Sequence, residues 1–220
     1  MAGSDTRLTL RYVVPTVVFG LFTSLEGYAP TGLYPAVYAL KIVAVVASLL
    51  VMRQALGDIR PTARVLPAAV LVGLVVCAQW VLLDRWLPYP HLGTRTAFDP
   101  FTAIPSDTWR TAFLALRFTG LVLVVPVMEE LFLRSFVLRA VTDGDFTSVP
   151  IGTYSQAAFW AVAGLSALAH PEWLAAIVTS VCYTLLLRQT KSLFACVAAH
   201  AVTNAALGVY VLTTHAFQYW

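Results

Sequence analysis

Residues 118–138 read FTGLVLVVPVMEELFLRSFVL. The stretch is long enough to cross a bilayer, which takes about 20 mainly apolar residues. Its charged residues are Glu129, Glu130 and Arg134. Pro126 lies just upstream of them; its ring clashes with the carbonyl of Val122, so a kink is expected there, with a polar backbone group freed beside the carboxylates. The rest of the chain has the same character. Of its 220 residues, 59% are hydrophobic and 11% charged, against about 45–50% and about 25% in an ordinary soluble domain. Mean hydropathy is +0.78. A soluble domain of this size needs a more polar surface.

The expected fold is therefore an all-α polytopic membrane helix bundle. Apolar segments occur at 12–26, 33–52, 65–83, 111–139, 153–170, 173–188 and 192–214. They predict about seven transmembrane helices, with eight the other count the boundaries allow. The whole chain, 1–220, reads as one membrane-embedded domain. Residues 1–110 supply peripheral N-terminal helices and an outer loop, and 111–214 a helical core.

Cations in the connections set the orientation. With the N-terminus inside, nine fall on the inner side: Arg7, Arg11, Arg53, Arg60, Arg64, Arg134, Arg139, Arg188 and Lys191. Arg85, Arg95 and Arg110 fall outside, which predicts N-in, C-out. Trp80, Trp86, Trp109, Trp173 and Trp220 lie near span ends and read as interfacial. The connection 84–110 holds Pro88, Pro90, Gly93, Pro100 and Pro105. It reads as a plain loop rather than a cover, with Ser106 or Asp107 capping the next helix.

Composition also excludes function classes. The chain lacks the polar, charge-rich composition of disorder, and its net charge of +3 forms no basic run for nucleic acid. Cys77, Cys182 and Cys196 are odd in number and lie in apolar runs, so buried thiols are expected rather than disulfides. Val13 to Leu25 is apolar, but Ser24-Leu25-Glu26-Gly27 is a poor cleavage site for a secretory signal.

Ionisable groups inside membrane spans cost roughly 2.5–3.5 kcal/mol each and mark functional sites by default. Three clusters stand out. Glu130 and Arg134 are four apart on a helix and should pair, while Glu129 points about 100° away and stays available. His170 precedes Pro171, which ends the helix near it and leaves the imidazole at the negative end of the dipole. His200 and Asn204 share one helix face within an apolar run.

Each cluster also has a purely structural reading: an intramembrane salt bridge, an interfacial turn histidine, an interhelical hydrogen bond. Lys41 and Arg117 read as bundle pairs or snorkelling residues. Glu26 reads as interfacial, and His91 and His215 as ordinary loop residues.

Together the clusters suit hydrolysis of a carbonyl compound. A glutamate in a low-dielectric site has a raised pKa and serves as a general base near neutral pH. Glu129 would activate water, His170 would hold or share its proton, and His200 and Asn204 would donate to the oxyanion. No serine occupies an obvious nucleophile turn, and no base neighbours Cys182 or Cys196 in sequence. For His170 to meet Glu129, the 153–188 hairpin must turn inside the membrane above a buried polar cavity.

The ordered set EELFLR at 129–134, a histidine ending an apolar helix at 170 and HAVTN at 200–204 resembles the CAAX protease and bacteriocin-processing family, whose eukaryotic members are type II CAAX prenyl endopeptidases. EExxxR matches at Glu129, Glu130 and Arg134, HxxxN at His200 and Asn204, and FxxxH only at His170, because Ser166 stands where the family usually has phenylalanine. The resemblance implies an integral membrane endopeptidase whose catalytic residues are Glu129, His170, His200 and Asn204, supported by Glu130 and Arg134. LEGY at 25–28, YALK at 38–41 and HPEW at 170–173 are similar to the bacterial branch associated with exosortase and PEP-CTERM sorting. That likeness implies the inner membrane of a bacterium, a membrane-associated protein or peptide substrate and an exosortase-system partner.

No cofactor is expected. The alternatives differ in kind. One is a metal-dependent protease holding a divalent ion such as zinc on the same glutamates and histidines, although HExxH is absent. Another is a non-catalytic membrane chaperone or scaffold. A proton-coupled transporter is disfavoured by the lack of internal repeats.

Overall fold

The computed structural model describes residues 2–220, with side chains from Thr6 onward. Every regular element described is helical: α1 Ala2–Glu26, α2 Tyr34–Val51, α3 Leu66–Trp86, α4 Asp107–Thr142, α5 Gln156–Leu168, α6 Trp173–Thr190 and α7 Leu193–Thr214. Their boundaries follow local chemistry. Serine hydroxyls cap three N-termini, Ser106 accepting from the Trp109 N–H, Ser155 from Ala158 and Ser192 from Ala195. Pro35 and Pro67 occupy first turns, where their missing N–H is not needed. Lys191 and His215 end α6 and α7 in the left-handed conformation.

Among the described residues five helices, not seven or eight, are long and apolar enough to cross a membrane: α1 from Thr6, α2, α3 together with the turn that begins at Ala63, α4 and α7. Apolar composition misled the count because length and polarity also matter. α5 is apolar but has 13 residues, about 20 Å at 1.5 Å per residue, short of the roughly 30 Å hydrocarbon core. α6 reaches 18 residues, but Thr179, Ser180, Thr184, Arg188, Gln189 and Thr190 dilute it. By its five helices the chain is an integral membrane protein.

The long helix α4 forms the central wall. It is π-helical over Gly120–Val124, α-helical over Val125–Glu130 and π-helical again over Leu131–Val137. Pro126 thus lies in the first turn of the α-helical stretch, directly after a π-helical one. Val124, Met128 and Leu131 pack with α1 and α2 around Tyr12, Tyr38 and Val45. Leu133 and Val137 pack with α3, α5, α6 and α7 around Val76, Val162 and Leu187. The two glutamates therefore lie where the two apolar clusters meet. α3 lies directly against α7: a Cβ on Gly73 would stand 2.5 Å from the Ala199 carbonyl oxygen and 2.8 Å from Val202 Cβ. Only a residue without a Cβ allows that approach.

Several readings change here. Glu26 is buried rather than interfacial, ion-paired to Lys41 at 2.6 Å. Trp80 and Trp220 are also buried, unlike the exposed Trp86 and Trp109. Arg134 and Arg139 are buried in pairs with Glu130 and Asp58, so they do not weigh on orientation as free loop cations. The 84–110 connection is not a plain loop. Leu92 N–H donates to the Pro171 carbonyl, Trp173 Nε1 to Pro90, and Trp220 Nε1 to Phe98. Arg95 grips Glu172 through two hydrogen bonds, of 3.1 and 2.7 Å. The segment is a strap tied to the α5–α6 turn.

Candidate active site

The site begins with the single α-helical stretch between the two π segments of α4. π-Helical turns inside α-helices are common at functional sites. Between them the consecutive glutamates point in different directions, as α-helical geometry requires. Glu130 is fully buried and Glu129 is 20% exposed along its side chain. Arg134 Nη1 reaches Glu130 Oε1 at 3.3 Å, and its Nη2 reaches Ser180 Oγ at 3.3 Å. The pairing expected from four-residue spacing is present.

From α7, His200 enters between the two carboxylates. Nδ1 lies 2.9 Å from Glu130 Oε1, and Nε2 lies 3.9 Å from Glu129 Oε2. Glu130 accepts, so Nδ1 carries hydrogen, and in the neutral ring Nε2 is a bare acceptor. A bare Nε2 and a carboxylate oxygen repel unless a proton sits on one of them. Glu129 and His200 thus face each other across a gap longer than a hydrogen bond.

His170 comes from the other side. Its Nδ1–H donates to the Ser166 carbonyl at 2.9 Å, leaving Nε2 as the acceptor. The ring meets Trp80 edge-on, with centroids 5.5 Å apart. Burial pushes the imidazole below its ordinary pKa, against an opposing pull from Glu129. It is therefore neutral near pH 7, with Nε2 a hydrogen-bond acceptor. Ser166, the departure from the FxxxH pattern, keeps its hydroxyl buried without a hydrogen-bond partner.

Glu129, Arg134, His170, His200 and Asn204 line one cavity of about 750 Å³; Glu130 stands behind its wall. Asn204 Nδ2 donates to the Leu121 carbonyl at 2.8 Å, which commits one of its two amide hydrogens. Thr203 ties the same turn of α7 to Tyr183 at 2.7 Å and to the Gly73 carbonyl at 2.8 Å. Among the described residues, no group of three or more His, Cys, Asp or Glu side chains could hold a metal ion.

The cavity extends beyond the expected set. Glu26, Lys41, Arg117, Tyr34 and Arg95 also line it. Charges inside apolar segments were the available signal for Lys41 and Arg117, and HPEW for Glu172. Nothing local marks Arg95, because its role depends on how the strap folds back.

Residues 111–206, 96 of the 220, match the family model described as Type II CAAX prenyl endopeptidase Rce1-like. The matched stretch contains Glu129, Glu130, Arg134, His170, His200 and Asn204. No curated protein and no solved structure matches the chain.

Proposed function

We propose that the chain is an intramembrane endopeptidase that hydrolyses a peptide bond of a membrane-associated protein with a glutamate-activated water. The observation that carries this reading is a cavity-facing carboxylate, Glu129, 3.9 Å from His200 Nε2, lining one cavity with His170, whose Nε2 is left as a hydrogen-bond acceptor. Water gives a proton to Glu129 as its oxygen attacks the carbonyl carbon. The developing oxyanion is met by the uncommitted Asn204 N–H and by the Nε2–H of His200 in its protonated form. The C–N bond then breaks, and the proton passes to the leaving amine. His170 serves as the second acceptor that keeps the water oriented. Glu130 and Arg134 act through His200, holding its ring in place.

The likeness of 111–206 to CAAX-type endopeptidases supports the reaction class. The LEGY, YALK and HPEW segments support a bacterial inner-membrane setting, a sorted surface protein as substrate and an exosortase-system partner. The test is mass spectrometry of membrane proteins from cells carrying the wild type or Glu129→Gln. A protein terminus present only with the wild type is the expected result and names the scissile bond. Identical termini would end the hydrolase reading. Activity lost to a chelator and restored by zinc would replace the glutamate mechanism with a metal one.

A further inference from the structure

The half of the cavity remote from Glu129 carries an unneutralised cation. Arg117, on α4, is 4% exposed. Its Nη1 donates to Tyr34 OH at 2.8 Å, and its Nε has no hydrogen-bond partner. No carboxylate lies within ion-pair distance of it among the described residues: Lys41 takes Glu26, and Arg95 takes Glu172. Aromatic rings hold it instead, with the guanidinium carbon 4.6 Å from the Trp220 ring centre and 4.9 Å from that of Tyr38. Such contacts steady a cation without cancelling its charge. A second group is also left open: Glu26 Oε1 is buried without a donor and lines the same cavity.

A buried, unpaired guanidinium inside a bilayer is costly unless something supplies the counter-charge. Lys41, Arg95 and Arg117 against Glu26 and Glu172 leave one positive charge at this end. From this uncompensated cation we infer that Arg117 is an anion subsite that takes one carboxylate of the peptide substrate. The carboxylate supplies the acceptor that Nε lacks, and a neighbouring peptide N–H supplies the donor that Glu26 Oε1 lacks. A planar guanidinium matches a carboxylate with two parallel hydrogen bonds. The inference rests on the endopeptidase reading for its peptide. It adds that the peptide carries a carboxylate, either its own terminus or an acidic side chain, at a fixed distance from the scissile bond.

The test is binding of acetylated apolar tetrapeptides to the full chain in detergent micelles. One peptide has a free terminal carboxylate, one a terminal amide, and one a terminal amide with a single Asp. The carboxylate peptides should bind at least about tenfold more tightly than the plain amide, as a charge-assisted hydrogen bond implies. Arg117→Met should remove the difference. Preference for the free acid alone identifies the chain terminus as the source, whereas equal preference for the Asp peptide identifies any suitably placed carboxylate. If Arg117→Met does not fold, Arg117→Lys decides: it keeps the charge without the fork and should retain only part of the preference. Equal binding of acid and amide, binding of neither, undiminished preference in both variants, or displacement by phosphate in place of acetate would each overturn the subsite. Glu129→Gln separates the two readings. It should keep the acid preference while losing cleavage, and cleavage at the wild-type rate would end the hydrolase reading while the binding contrast still judges Arg117.

Discussion

Asn204 on α7 closes a hydrogen bond that Pro126 on α4 leaves open. In the first π segment of α4 the Val125 N–H donates to the Gly120 carbonyl, five residues back. The next donor in that series would be residue 126 and its acceptor Leu121, but proline has no N–H. Asn204 Nδ2 supplies the missing donor at 2.8 Å. The register of α7 against α4 is thereby fixed one turn from His200, at the level of the two glutamates.

Asn204→Ala should therefore cost about 1–3 kcal/mol, the penalty for leaving a buried acceptor unsatisfied. Pro126→Ala restores an N–H to α4, so the same asparagine change should cost less in that background. Unfolding of the single and double variants in detergent measures the coupling. Simply additive costs would mean that the two residues do not serve one carbonyl.

Glu130 is the carboxylate with no route to water. Arg134→Met strands it and should destabilise the protein by about 3–5 kcal/mol. Glu130→Gln combined with Arg134→Met should recover much of that loss, because no uncompensated charge then remains. Glu129→Gln removes a partly exposed carboxylate and should leave the unfolding midpoint nearly unchanged while abolishing cleavage. A Glu129 variant as unstable as Arg134→Met would make the two glutamates equivalent, against their difference in burial.

The helical class and the elements bearing the candidate site were legible in the sequence, because charges in apolar runs are rare and their spacing maps onto helix faces. Glu130 with Arg134 followed directly from four-residue spacing. The span number did not follow. The 153–170 stretch is apolar for its length, yet an isolated window does not reveal where Thr153 to Ser155 release the chain into helix. Glu26 and Lys41 were each visible but not as partners, since fifteen residues and a turn separate them. The strap was missed because prolines and a glycine describe an irregular path without saying what it lies against. Arg95 finds Glu172 only after α5 and α6 have folded.

The Arg95–Glu172 pair gives the strap a pH dependence. Burial raises the Glu172 pKa, but hydrogen bonds and charge from Arg95 outweigh it and hold the carboxyl below its usual range. A depressed folded-state pKa contributes stability that is complete above the unfolded value of about 4.3 and is lost as pH falls through the folded value. Protection of residues 92–98 against hydrogen exchange, taken relative to the intrinsic rate at each pH, should therefore fall on acidification below about pH 4.3. Glu172→Gln should show fast exchange already at pH 7 and little further change. Protection in that variant equal to wild type at pH 7 would mean that the ion pair does not hold the strap.

Gly73 offers a test of the α3–α7 contact apart from any charge. A Cβ there meets the Ala199 carbonyl oxygen at 2.5 Å, and a backbone atom cannot swing aside as a flexible side chain can. Gly73→Ala must displace α7 at the residue preceding His200, or α3 must back away and break the Thr203–Gly73 hydrogen bond of 2.8 Å. Overpacking of this kind costs about 1–3 kcal/mol, and cleavage should fall with it because the imidazole moves relative to Glu129. Gly164, inside α5, has open space where its Cβ would be. Gly164→Ala should raise stability by roughly 0.5–1 kcal/mol through helix propensity alone and leave cleavage unchanged. Unfolding midpoints and cleavage rates of the two variants, measured side by side, check both claims. Equal effects from the two alanines would mean that close approach at Gly73 does not set the position of His200.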